Sequence, residues 1–242
     1  MKTFSTACRR VLLAGWLLAV GHAQASVVIA TTRIVYPAEQ AEVTVSLRNL
    51  GERPALVQAW IDDGVAMADS QDPQVPFSLM PPLFRVEPGT SQSLRLFHNG
   101  ASMLTDRETL YWLNVLELAP KGVGNQINVA LRTRIKLFFR PPSLPGTVAD
   151  AHRTLSWRWV REGRRWQLEA DNPGAYVVNL GRVAVSYQGR SWQAQPRHVL
   201  PFSQSRFTIE GLADERPVPN QVDYSYIDDH GAERPATAVV RH

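Results

Sequence analysis

The chain is predicted to be all-β, an immunoglobulin-like sandwich followed by a second, smaller β domain. Three observations lead there. Short runs of β-branched and aromatic residues recur at roughly ten-residue spacing with turn residues between them. No segment carries a convincing amphipathic helical pattern. The rhythm is interrupted once, at Pro141-Pro142-Ser143-Leu144-Pro145-Gly146, and then restarts. The expected domains are residues 26–142 and 143–242.

Ahead of the first strand lies a different kind of segment. Lys2, Arg9 and Arg10 are basic, Val11 to Val20 is apolar, and Ala23-Gln24-Ala25 supplies the small residues that a signal peptidase requires. Residues 1–25 are therefore expected to be a secretory signal peptide, cleaved after Ala25. Its apolar core is too short to anchor the mature chain in a bilayer. The only cysteine, Cys8, leaves with it, so the exported chain would enter an oxidising compartment without a disulfide and be held by its cores alone. Three of the 26 Lys and Arg residues leave too, but none of the 22 Asp and Glu, so 23 basic residues face 22 acidic ones, a net +1. No nucleic-acid partner is expected from so even a balance.

In the first domain, Val27 to Tyr36 is β-branched and aromatic, and Pro37 ends it. Ala41 to Asn49 alternates, with Val43, Val45 and Leu47 on one face. Asn49-Leu50-Gly51 is a turn, Ala55 to Asp62 the next strand, and Gly64 to Val75 a loop. Leu83 to Val86, Ser91 to His98 and Thr109 to Leu118 follow, and Gly122-Val123-Gly124 reads as a hairpin turn. In the second domain, strands are expected at Leu155–Arg161, Trp166–Glu169, Val177–Leu180, Val183–Tyr187, Phe207–Ile209, Tyr224–Ile227 and Ala236–Arg241.

The stretch from Asn125 to Pro142 stands apart. Ile127, Val129, Leu131, Thr133, Ile135, Leu137 and Phe139 fall on one face, and Asn128, Ala130, Arg132, Arg134, Lys136, Phe138 and Arg140 on the other. At about 3.3 Å per residue, Ile127 to Arg140 would span on the order of 45 Å, roughly twice a typical strand. Part of it should overhang its own sheet, where an apolar end needs a partner. The competing interpretation is an ordinary core strand with a cationic outer face.

The residues that might carry chemistry exclude more than they support. There is no G-x-S-x-G elbow, H-E-x-x-H helix or P-loop, and the six histidines are scattered. Neither an enzyme nor a cofactor is expected. Trp112, Trp157, Trp159, Trp166 and Trp192 could form a sugar-stacking platform in a secreted adhesin or carbohydrate-binding module, or could be core and interface residues. Arg33 and Lys136 each sit among apolar neighbours, where a cation needs a partner. They either snorkel to solvated edges or form an anion pocket.

Several segments together carry a resemblance. They are Thr31-Thr32-Arg33, Gln58-Ala59-Trp60-Ile61, Pro81-Pro82, Arg85-Val86-Glu87-Pro88-Gly89, Asp106-Arg107-Glu108, Asn114, Ile135-Lys136-Leu137-Phe138-Phe139-Arg140-Pro141 and Tyr226-Ile227-Asp228-Asp229. In this order they resemble the periplasmic chaperones of the chaperone–usher pilus pathway, over nearly all of residues 26–242. The resemblance implies two immunoglobulin-like β-sandwich domains in an L-shaped arrangement with an interdomain cleft. It implies a chaperone that binds pilus or fimbrial subunits by donor-strand complementation and delivers them to an outer-membrane usher. Arg33 and Lys136 match the cleft cations that grip the subunit's C-terminal carboxylate. Ile127, Val129 and Leu131 match the donor residues of the long strand, each able to contribute about 1.5–3 kcal/mol when buried. Glu108, Arg140 and Asp229 match an interdomain salt-bridge network, with Asp228 the alternative because the segment after it looks one residue longer than the usual pattern. The short Ala119–Gly124 connection resembles the branch that builds rod-like pili or surface fimbriae. A dimer that caps the unprotected edge is also within the family's behaviour.

Overall fold

A computed structural model describes residues 26–64, 75–118, 130–163, 165–212 and 219–241. The expected signal peptide, most of the expected 64–75 loop, the Gly122–Gly124 turn, and Ile127 and Val129 lie outside the described residues. The first domain contains β1 (Val27–Ile29), β2 (Arg33–Pro37), β3 (Glu42–Asn49), β4 (Ala55–Asp62), β5 (Phe77–Met80), β6 (Leu83–Val86), β7 (Ser91–His98), β8 (Thr109–Leu118) and β9 (Leu131–Arg140). They form two sheets, in the orders β1-β3-β7-β5 and β2-β9-β8-β4-β6. Inward-facing residues of both sheets, among them Tyr36, Leu47, Val57, Leu94, Leu113 and Leu137, share one core.

The expected single strand at Val27–Tyr36 is two strands in different sheets. β1 pairs antiparallel with β3, and β2 pairs parallel with β9. Between them, Ala30 N donates to Ser46 O, and Thr31 Oγ1 donates to Arg33 O at 2.6 Å. Those local bonds turn the chain from one layer to the other inside a run that has uniform β propensity. β5 was not expected, being only four residues long and closely flanked by Pro76 and Pro81.

The long strand is seen from Leu131 onward. β9 pairs along its whole described length with β8, from Thr109↔Phe139 to Glu117↔Leu131. On its other side β2 covers only Lys136 to Arg140. Residues 131–135 therefore have a free ladder edge among the described residues. Leu131 is 41% exposed, whereas Leu137 and Phe139 are buried.

The second domain begins with a short helix, α1 (Val148–Ala151), capped by Thr147, whose Oγ1 accepts from Asp150 N at 3.2 Å. Its strands are β10 (Ser156–Glu162), β11 (Arg165–Asn172), β12 (Val178–Tyr187), β13 (Arg190–Ala194), β14 (His198–Val199), β15 (Ser203–Thr208), β16 (Gln221–Ile227) and β17 (Glu233–Arg241). The hydrogen-bonded path runs β13-β12-β16-β17-β10-β11-β15, with β14 on β12. Trp157, Leu168 and Phe207 from one end of this path meet Val183, Val185 and Val222 from the other in one core. The two strands expected at 177–187 are one, β12, with a register irregularity between Leu180 and Arg182. Strand β13 escaped prediction because it is a polar strand at the end of its sheet, with Trp192 its only aromatic.

Candidate functional site

The parallel register of β2 on β9 sets Arg33 directly beside Lys136. Both side chains reach the second domain. Arg33 Nη1 donates to Ile227 O at 3.1 Å, and Lys136 Nζ donates to Asn179 Oδ1 at 2.6 Å. Arg33 is buried, only 9% exposed, and its Nε has no hydrogen-bond partner. Neither cation forms an ion pair with a carboxylate among the described residues. Burial lowers the pKa of Arg33, against the pull of Asp229 and Asp228. Burial, and then repulsion from Arg33, lowers that of Lys136 to about 8. Two adjacent, desolvated cations with an orphaned donor have the chemistry to accept an anion.

Four residues further along the same face of β9, Arg140 meets a different environment. Its Nε donates to Glu108 Oε1 at 2.5 Å, and its two terminal nitrogens donate to Asp229 at 2.8 and 3.0 Å. Glu108, 3% exposed, also accepts from Val177 N at 2.9 Å. Burial pushes the Glu108 carboxyl up, while the Arg140 charge opposes it. Burial works against charged Arg140, yet the bonds to Asp229 and the nearby carboxylates outweigh it and raise its pKa. Asp228 is engaged elsewhere. It accepts from His230 N and Ala232 N, and it pairs with Arg234 at 3.3 Å. Gly231, at φ +85°, brings this turn so near the first domain that a side chain there would lie 2.5 Å from Thr32 Oγ1. Between the domains opens a cavity of about 280 Å³, lined by Phe138, Arg140, His152, Asn179, Tyr226 and Asp229 among others.

The outer face of the free-edge half of β9 is also organised. Arg132 donates to Asn114 Oδ1 at 2.8 Å, and Asn114 Nδ2 donates to Asp62 Oδ2 at 2.7 Å. Arg134 pairs with Asp62 and lies 4.3 Å from the centre of the Trp112 ring. Lys136 Nζ is 5.6 Å from the same ring. His198 of the second domain approaches Trp112, ring to ring at 6.2 Å, and burial and then the Lys136 charge lower its pKa to about 4. Trp112 is thus packed beneath cations, and Trp157 and Trp159 are buried in the second core. The tryptophans do not share a platform.

Of the residues singled out from the sequence, Arg33 and Lys136 are neighbours, and Glu108, Arg140 and Asp229 form one network. Leu131 lies at the free edge, with Ile127 and Val129 outside the described residues. Sequence reasoning missed Asp62, Asn179 and His198. The available signal for Asn179 was a lone amide inside an apolar run, Tyr176 to Leu180. Among the described residues no group of His, Cys, Asp and Glu is arranged to hold a metal ion. No helix among them is long and apolar enough to cross a membrane.

Two β domains are thus joined by an ion-pair network, and among the described residues one strand keeps an open ladder edge beside a pair of cations. Residues 26–145 match the family described as pili and flagellar-assembly chaperone, PapD N-terminal domain. Residues 150–238 match the pili assembly chaperone PapD, C-terminal domain. The chain is 39% identical over 226 residues to the chaperone protein FimB/FhaD of Bordetella pertussis, covering 90% of this chain and 89% of that one. Its fold is similar to the crystal structure of the YadV chaperone, with a TM-score of 0.78, 32% identity, and coverage of 89% of this chain and 100% of that one. It is also similar to a chain in the Salmonella enterica SafA pilin–SafB chaperone complex, with a TM-score of 0.73 and 30% identity, covering 90% of this chain and 98% of that one. The chain belongs to the PapD family, the pilus and fimbrial assembly chaperones of the chaperone–usher pathway. Its two immunoglobulin-like β domains carry a chaperone's function and not an enzyme's.

Proposed function

We propose that the chain captures pilus subunits in the periplasm by lending them β9 as a missing strand, and holds the subunit's C-terminal carboxylate between Arg33 and Lys136. The observation that carries this reading is the buried Nε of Arg33, a donor without an acceptor, set beside a second cation that also lacks a carboxylate. A carboxylate there would accept charge-assisted hydrogen bonds from both residues in a largely water-excluded cleft. The free edge at 131–135 offers main-chain donors and acceptors to an incoming strand, the β-augmentation mode of recognition. Leu131, with Ile127 and Val129 upstream, would enter the subunit's open core. The carboxylate sets the register, since a one-residue slip would present Asn128, Ala130 and Arg132 instead. Glu108, Arg140 and Asp229 hold the two domains at the angle that keeps this cleft open.

The leader would export the chain, and the loaded chaperone would pass its subunit to an outer-membrane usher without nucleotide or metal. Before capture, the same edge is available to a second copy of the chain, which would form a self-capped dimer. The SafB chaperone's complex with the SafA pilin supports a subunit as the partner. In a strain co-expressing a pilus subunit, Lys136→Ala should give a folded chaperone and little periplasmic subunit. Normal subunit yield with that variant would overturn the carboxylate anchor.

A further inference from the structure

The first described residue is tightly seated. Ser26 N and Val27 N both donate to Glu117 Oε2 at 3.2 Å, and Ser26 Oγ donates to Glu117 Oε1. Ser26 O accepts from Leu50 N at 2.6 Å. Gly51 closes the seat, because a side chain there would lie 2.6 Å from Ser26 Cβ. Glu117 belongs to β8, in one sheet, and β1 to the other, so one carboxylate bridges the two layers at the edge of the sandwich. This is more acceptor capacity than an ordinary mid-chain serine needs, and it meets the residue expected to follow the signal-peptidase cut.

We propose that Glu117 is the binding site for the α-ammonium group that leader removal creates on Ser26, and that this ion pair keeps β1 off the open edge of β9. Hydrolysis of the Ala25–Ser26 bond places the water's hydroxyl on the Ala25 carboxyl and leaves a free amine on Ser26, which takes a proton at neutral pH. A peptide N–H then becomes a charged donor beside a carboxylate. The second half follows from register. β2 runs parallel to β9 from Arg33↔Lys136, and the same register carried backwards would lay residues 28–32 along 131–135. The chain instead leaves at Ala30, and Val27–Ile29 pairs with β3. Glu117 is itself the register partner of Leu131, at the start of that free edge. The group that tethers β1 thus stands beside the edge that β1 would otherwise cover.

The inference rests on the export reading and is independent of the carboxylate anchor. The test uses the full chain with its own leader, isolated from the periplasm. Intact mass should show Ser26 as the first residue, and a different start would overturn the proposal. Wild type should melt about 3 °C above Glu117→Gln at pH 6.5, as suits a half-exposed ion pair in a domain of this size. The charged amine is the stabilised form. Its contribution is therefore full below its unfolded pKa, about 7.7–8.0, and lost as pH rises through the higher folded value. The difference between the two proteins should close by about pH 9.5.

Other charged groups on adjoining elements are Arg48 on β3, Glu52 and Arg53 in the turn after it, and Arg132 on β9. Among the described residues none of them bonds Ser26. A difference that persists unchanged at pH 9.5 would overturn the ammonium site, leaving Glu117 an acceptor for ordinary amides. A chain carrying one extra glycine before Ser26, its amine moved by about 3.8 Å, should lose the pH-dependent part. Glu117→Gln should also capture a pilus subunit about threefold more weakly, as freed β1 competes for the edge. Unchanged capture would overturn the tethering role. Normal subunit yield with Lys136→Ala, alongside a pH-dependent Glu117→Gln difference, would remove the anchor and leave this site standing.

Discussion

Lys136 and Arg140 project from one face of one strand, four residues apart, and both reach the second domain. Arg140 is neutralised within the chain by Glu108 and Asp229. Lys136 is given a neutral amide, Asn179, and a cationic neighbour, Arg33. The first arrangement pairs its charge within the chain, and the second, among the described residues, leaves its charge without a carboxylate. The same division runs along the β9 backbone, where both ladder edges are used from Lys136 onward and, among the described residues, one is free before it. A single strand is closed on both edges at one end and, in the reading proposed above, a binding site at the other.

The most severe way to break this contrast is at its closed end. Arg140→Ala strands Glu108 as a buried carboxylate without its countercharge, and removal of one partner from such a pair typically destabilises by about 3–5 kcal/mol. Denaturant unfolding should show that loss, and small-angle scattering should show a widened range of interdomain angles. Unchanged stability would mean that the network is solvated and of little consequence.

At the open end the expected effect is a titration. Lys136 must be charged to hold a carboxylate, and its pKa in the free protein is lowered to about 8. Affinity should therefore be full below pH 8 and fall by up to about tenfold per pH unit above it, until the pKa of the bound state is reached. The probe is a synthetic peptide with the alternating apolar ending of a pilus subunit and a free C-terminal carboxylate. The same peptide ending in an amide should bind weakly and without this pH dependence. A flat profile for the acid would separate Lys136 from the anion.

The smallest expected effect sharpens the contrast at a single atom. Asn179 Oδ1 accepts from Lys136 Nζ in the manner of a carboxylate oxygen. Asn179→Ala should release the ammonium and tighten the acid peptide about fivefold, near the net value of one such hydrogen bond. Asn179→Asp, which makes the internal competitor a true anion, should weaken it. Isothermal calorimetry on the pair of variants reads both signs, and the same sign for both would contradict the competition.

Much of the fold was legible in the sequence because its signals are local. Alternation at period two assigns Val45 and Leu47, or Ile135 and Leu137, to an inner face wherever the strand ends up. Turn residues mark where a strand stops, and the two prolines after Arg140 mark where β9 stops. The break at Ala30–Thr32 was invisible for the same reason. The residues on both sides prefer strands, and the switch shows only in their pairing, one side with β3 and the other with β9. Resemblance singled out Arg33, Lys136, Glu108, Arg140 and Asp229, but no spacing relates residues so far apart in the chain.

What the sequence determined by itself is where most of the longer strands lie and which side of each turns inward, since backbone propensity and apolar periodicity act over a few residues. What only the tertiary structure decided is which strands lie side by side. Parallel register brought Arg33 to Lys136, the domain interface gave Arg140 its carboxylates and Lys136 only an amide, and the departure of β1 left half of β9 uncovered among the described residues. Charge and exposure at a site depend on distances through space, and those exist only once the sheets have closed.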